Sequence, residues 1–100
     1  MKLLPILLFA TALSAQDLRL VRAIKFENFK HVSTTEILDR LKERETQLRV
    51  EWPFQPQYAE EARSRIAELL AEKGRPNARI EIATKAVAPQ RVEVRFRLLK

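Results

Sequence analysis

The sequence LLAEKGRPNARI at residues 69–80 marks the point where a helix ends and a strand begins. A helical stripe of apolar residues closes at Leu70, and Gly74 is the residue type that most readily ends a helix in a left-handed conformation. Pro76 cannot continue the helix, because it has no backbone N–H. Apolar and charged residues then alternate as far as Ile80, which is typical of a half-buried strand. This stretch therefore predicts a helix followed closely by a strand.

Two helices are predicted upstream of this point. Apolar residues at three- and four-residue spacing predict one helix at roughly Gln57–Lys73, with a proline suited to its first turn. Ser33 and Glu36 have the spacing of a capping box, which predicts an earlier helix at roughly Thr34–Glu45. Between the two, Leu48–Phe54 alternates like a strand but is interrupted by proline, so we expect an extended connector.

Three strands are predicted around these helices. Apolar and charged residues alternate over Ala23–Phe26, Ala78–Ile82 and Val92–Leu98. We expect Ala83–Gln90 to form the hairpin loop between the last two strands. The order β-α-α-β-β predicts an α+β fold, in which a three-stranded mixed sheet has two helices packed on one face. Arginine and glutamate would then cover the other face of the sheet.

The N-terminal residues have the pattern of a secretory signal peptide. A positive start at Lys2 precedes a short apolar run, and small residues follow that run. We therefore expect residues 1–16 to be a signal peptide, cleaved between Ala12 and Asp17, and residues 17–100 to form a single domain. A buried N-terminal strand or an uncleaved anchor are the alternative interpretations.

The composition excludes several kinds of site. The chain has no Cys, one Gly and one His, which leaves no disulfide, no thiolate metal site and no glycine-rich phosphate loop. Its 13 Asp and Glu residues occur among 19 Lys and Arg residues, mostly at helix-face spacings that are typical of solvated ion pairs. We therefore expect no catalytic residue, no metal site and no cofactor, and interpret the chain as non-enzymatic.

Several of these stretches resemble the POTRA domain, the polypeptide-transport-associated module of outer-membrane barrel-assembly and secretion proteins. Asn28 stands where that family usually has glycine, and Asn also tolerates left-handed backbone. The stretches similar to the family's first strand, first helix entry, second helix with second strand, and last strand are Ile24–Asn28, Val32–Leu38, Leu69–Ile80 and Val92–Leu98. The resemblance implies a non-catalytic, periplasmic protein-binding module, associated with the outer membrane, that assists outer-membrane protein assembly or secretion.

The resemblance also implies a binding site. In POTRA domains the second strand is an edge strand, and partners are thought to add a strand to it, so that main-chain hydrogen bonds carry the affinity. The implied partners are unfolded segments of outer-membrane or secreted proteins, or a barrel-assembly component. The implied site residues are Ala78, Arg79, Ile80, Glu81, Ile82, Ala83 and Thr84. Charges such as Arg79 and Lys85 also protect a sheet edge against aggregation, which is the competing explanation for them.

Other features allow two interpretations each. Trp52, Phe54 and Tyr58 either anchor the connector to the core or form an interface patch. The arginines of Arg91–Arg97, together with Arg75 and Arg79, indicate either a solvated sheet face or an electropositive edge that receives another chain.

Two alternative functions follow from the same sequence. The first is a small basic KH-like nucleic-acid-binding domain, suggested by a pI of about 10.2, although the GXXG loop of KH domains is missing. The second is a POTRA-like division protein that is held by an uncleaved N-terminal anchor. Under the main hypothesis the chain binds no nucleic acid and has no membrane span after cleavage.

Overall fold

The computed structural model describes residues 19–99, so the expected signal peptide lies outside the described residues. A strand, two helices and two more strands follow one another along the chain. They are β1 (Leu20–Glu27), α1 (Thr34–Glu43), α2 (Pro56–Glu72), β2 (Arg79–Ala88) and β3 (Arg91–Leu99). This order and the mixed three-stranded sheet confirm the predicted α+β fold.

The sheet has the strand order β1-β3-β2, so β3 is its central strand. β1 runs parallel to β3, and β2 runs antiparallel to it. The even-numbered residues of β3 face the helices, and Phe96 is fully buried at the centre, where its ring stacks on that of Phe26 at 5.8 Å. The core is completed by Ile37 of α1 and by Ile66 and Leu70 of α2, which are also fully buried.

The helix ends follow from the capping residues that the sequence indicates. Ser33 Oγ accepts from the N–H of Glu36, and Glu36 Oε1 accepts from the N–H of Ser33, each at 3.1 Å. α1 ends at Glu43, slightly earlier than predicted, because Glu45 has a left-handed φ of 54°. α2 ends before Gly74, whose φ of 92° favours glycine, and the N–H of Arg75 then bonds to the carbonyl of Leu70 at 2.8 Å.

The hairpin between β2 and β3 is longer than predicted. β2 continues to Ala88, and the turn consists of Pro89 and Gln90, with φ of 59° at Gln90. The prediction of a loop over Ala83–Gln90 was therefore wrong. The small side chains of this stretch have little hydrophobic pattern, but their backbone supplies the hydrogen bonds that the first half of β3 requires.

A β-bulge changes the register of β1. The pairing shifts between Val21 and Ala23, so Arg22 and Ala23 together lie opposite Glu93. Val21, rather than Leu20, consequently enters the core, and Arg22 points into solvent. The bulge explains how an arginine interrupts an otherwise regular alternation without being buried.

The connector between the helices is attached to the start of β1. The N–H of Glu51 donates to the carbonyl of Val21 at 2.7 Å, and the N–H of Val21 donates to the carbonyl of Trp52 at 2.9 Å. Leu48 and Phe54, at the two ends of the connector, are buried in the core. The connector therefore covers the outer side of β1 over its first residues only.

Candidate protein-binding edge

β2 forms one edge of the sheet. It pairs with β3 on one side, and on the other side no strand of residues 19–99 lies beside it. Within the candidate site, Arg79–Thr84 belong to this edge strand and Ala78 immediately precedes it.

The direction of the backbone groups along β2 follows from the pairing of β3. The carbonyl of Gln90 accepts from the N–H of Leu20 at 2.9 Å, so the even-numbered residues of β3 direct their backbone groups toward β1. Its odd-numbered residues therefore bond to β2, because successive residues of a strand point to opposite sides. Given the register, the residues of β2 whose backbone N–H and C=O groups point away from β3 are Ile80, Ile82, Thr84 and Ala86.

The first of these outward groups, the carbonyl of Ile80, is hydrogen-bonded to Arg63 of α2. Nη1 of Arg63 donates to the carbonyl of Ile80 at 3.4 Å, which independently places that carbonyl on the outer side. A groove of about 310 Å³ lies beside this contact, between Ser64 and Ala67 of α2 and the start of β2. The edge is thus covered by a side chain at its start, and the stretch Ile82–Ala86 has no hydrogen-bonding side chain beside it within the described residues.

The side chains of Ile82–Ala86 leave the backbone accessible. Thr84 and Ala86 are exposed although they lie on the helix-bearing face, whereas Val94 and Val92 opposite them are buried, so the helix layer does not cover this part of the edge strand. Ala83 is also small and exposed, while Lys85 is the charged residue of this stretch. A lysine on a short, otherwise small-residue edge limits uncontrolled edge-to-edge association without blocking the edge.

The arginines of β3 are part of a solvated ion-paired face and not of an edge. Arg95 contacts Glu27 at 3.2 Å and Glu93 at 2.8 Å, and Arg97 lies 4.0 Å from Glu81. β3 is the central strand, so the hypothesis that its arginines form an electropositive edge was wrong. Their arrangement instead neutralises the carboxylates of the two neighbouring strands.

The three aromatic residues around the connector do not form one exposed patch. Phe54 is only 6% exposed and belongs to the core, and Tyr58 is half-buried against it. Trp52 is 44% exposed, and the guanidinium of Arg49 lies 4.7 Å from the centre of its ring. Burial therefore supports core anchoring for Phe54 and leaves Trp52 alone at the surface.

The comparison with protein families gives a match over nearly all the described residues. The family model that matches is POTRA, described as surface antigen variable number repeat, and the match covers residues 20–98 of 100. The chain belongs to the POTRA family. POTRA domains are protein-interaction modules of outer-membrane assembly and secretion. No curated protein matches this chain.

The side-chain contact that covers the start of the β2 edge could not be predicted from the sequence. The family resemblance places an edge at β2, but the contact of Arg63 with Ile80 depends on how α2 packs over that edge. No short sequence motif encodes such a contact.

Neither helix of residues 19–99 combines the length and the apolarity that a membrane crossing requires.

Proposed function

We propose that this POTRA protein is a periplasmic binding module that assists outer-membrane protein assembly or secretion by strand addition at β2. The partner would be an unfolded segment of an outer-membrane or secreted protein, or an extended segment of a barrel-assembly component. The observation that carries the proposal is the stretch Ile82–Ala86, which directs backbone groups outward and, apart from Lys85, has only small or half-buried side chains.

Strand addition suits a partner that varies in sequence. Ile82, Thr84 and Ala86 each offer one N–H and one C=O to an extended chain. A net main-chain hydrogen bond contributes about 0.5–1.5 kcal/mol, so a few of them give weak and reversible binding. Side-chain recognition would add little here, because the neighbouring side chains are small. This combination fits a module that holds many different segments for a short time.

The proposed location rests on the expected signal peptide at residues 1–16 together with the family. POTRA domains of outer-membrane assembly proteins are typically periplasmic. Family membership favours this function over the KH-like alternative. The division-protein alternative differs in that the N-terminal segment is retained as an anchor. The mass of the exported protein distinguishes the two, because cleavage of a signal peptide lowers it.

A single backbone N–H provides the test. Thr84→Pro removes one outward donor and leaves the bonds to β3 in place, whereas Thr84→Ala keeps the donor and removes only the hydroxyl. Purified protein is titrated with a neutral ten-residue peptide that alternates valine or tyrosine with threonine. We expect Thr84→Pro to weaken binding about 2- to 12-fold through the lost hydrogen bond, and Thr84→Ala to bind like the parent. Equal binding by two equally folded variants would overturn strand addition at this position.

A further inference from the structure

A second groove lies at the opposite edge of the sheet. It has a volume of about 240 Å³ and separates β1 from α1 and the connector. Its apolar lining consists of Ile24, Leu38, Leu41, Leu48 and Val50. The proposed strand addition at β2 makes no use of this surface.

Two residues of β1 direct unpaired backbone groups toward the outside of this edge. Ile24 pairs in register with Val94, whose backbone groups bond to the residues on either side of Ile24. The N–H and C=O of Ile24, and those of Phe26 two residues later, therefore point away from β3. Among residues 19–99, the backbone hydrogen bonds of the connector to this stretch reach Arg19 and Val21 and stop short of Ile24 and Phe26.

Two side chains of the apolar lining are exposed, although Leu41 and Leu48 beside them are buried. Leu38 is 43% exposed and Val50 is 50% exposed, and they face the same groove from α1 and from the connector. An accessible apolar groove beside free backbone groups can take up an extended chain, with alternate side chains of that chain in the groove.

The charged residues around the groove are all basic. Lys42 and Arg49 line it, and no carboxylate does. Within residues 19–99, neither forms an ion pair with Asp or Glu, and Lys25 on the other face of β1 forms none either. An added strand would place its two sets of side chains against these two faces, and both faces present unpaired cations.

We propose that the β1 groove binds an extended acidic segment of a partner protein, in which leucine-like side chains alternate with aspartate or glutamate. The apolar side chains enter between Leu38 and Val50, and the backbone pairs with Ile24 and Phe26. Carboxylates on the outer face meet Lys25, and the positive charges of Lys42 and Arg49 beside the groove attract the acidic segment as a whole. The two edges of the domain thus differ in their surroundings, since an apolar groove lies beside β1, whereas mostly small side chains lie along Ile82–Ala86 of β2.

The experiment compares three seven-residue peptides by calorimetric titration of the purified protein. One alternates glutamate with leucine, one replaces each glutamate with lysine, and one replaces each leucine with serine. We expect only the glutamate–leucine peptide to bind, with its largest amide chemical-shift changes at Ile24 and Phe26. Equal binding of the lysine peptide, or shifts centred on Thr84, would overturn the proposal.

Surface variants complete the test without disturbing the core. Leu38→Asp should weaken binding about tenfold or more, because it puts a carboxylate into the groove that the peptide's apolar side chains need. Leu99→Asp is the matched control, since Leu99 is 37% exposed but lies at the end of β3 and does not line the groove. Lys42→Glu should weaken binding and Lys30→Glu should not. If a groove variant and its control lost the same amount of peptide affinity, in either of the two pairs, the groove would not be the binding site.

Discussion

Arg40 of α1 binds both carboxylate oxygens of Glu72 on α2, through Nη1 to Oε2 at 2.8 Å and Nη2 to Oε1 at 2.6 Å. Nη1 also donates to Glu68 at 3.1 Å. A planar guanidinium suits such paired contacts, and its donors fix the helices in one relative position. The side chain of Arg40 is only 14% exposed, so its stem also packs between the helices. This ion-paired contact holds together the layer that covers the sheet.

We expect Arg40→Met to destabilise the domain. The variant keeps most of the apolar stem but leaves Glu68 and Glu72 without their shared cation. Water screens charge-assisted bonds between partly exposed side chains, so the expected loss of stability is modest. Urea denaturation should show that loss, and Arg40→Lys, which keeps the charge but not the paired geometry, should lie in between. If Arg40→Met left the midpoint of urea denaturation unchanged, the contact would not stabilise the fold.

The stability of the domain should fall in mild acid. The hydrogen bond from Arg40 lowers the pKa of Glu72 below its ordinary value of 4.5, and the hydrogen bond from Lys73, followed by that from the Ser33 backbone, does the same for Glu36. A carboxyl group with a lowered folded-state pKa stabilises the fold above its unfolded pKa, and this contribution disappears as the pH falls through the folded value.

Thermal unfolding at a series of pH values from 7 to 3 checks this dependence. We expect the melting temperature of the parent to be level above about pH 5 and to decrease below it. Glu72→Gln removes one of the titrating groups, so its melting temperature should start lower and decrease less. Parallel curves for the two proteins would contradict the assignment of this pH dependence to Glu72.

The core residues of α2 should be far more sensitive to truncation than exposed residues of α1. Ile66 and Leu70 are fully buried, so their replacement by alanine should cost about 2–5 kcal/mol in denaturant titrations. Leu38→Ala is the control, because Leu38 is partly exposed and its replacement should change the free energy of unfolding by no more than about 0.5 kcal/mol. A cost near zero at both buried positions would mean that the helix presents a different face to the sheet.

Removal of Arg63 should extend the accessible part of the β2 edge. Arg63→Met keeps the aliphatic stem but frees the carbonyl of Ile80, so the neutral peptide gains one acceptor. We expect binding about 2- to 10-fold tighter, as one additional hydrogen bond allows. Arg79→Met removes a charge at the same end of the strand without freeing a carbonyl. An equal gain in both variants would attribute the effect to charge and not to the freed carbonyl.

Local sequence signals were sufficient to predict the elements of the fold. Ser33 and Glu36 form the capping box, Gly74 ends α2 in a left-handed conformation, and alternation identifies the buried residues of β3. These signals act within a few residues of one another, so they can be recognised without the tertiary structure. The edge position of β2 came from the family resemblance, because strand order depends on contacts between distant segments.

The features that were not predicted depend on such distant contacts. The bulge at Arg22 arises from the register of β1 against β3, and the extension of β2 to Ala88 arises from the backbone requirements of β3. The contact of Arg63 with Ile80 and the groove beside Ile24 require the packed helices. None of these has a local pattern of hydrophobic residues that could have indicated it.

Hydrogen exchange at the amides of β2, measured by NMR with and without the neutral peptide, tests strand addition most directly. In the free protein, the outward amides of Ile82 and Thr84 should exchange rapidly, while the amide of Ala83, bonded to β3, should be protected. At saturating peptide, we expect amide exchange at Ile82, Thr84 and Ala86 to slow about tenfold or more, with exchange at Ile24 unchanged. Saturated binding without new protection at these three amides would contradict strand addition at β2.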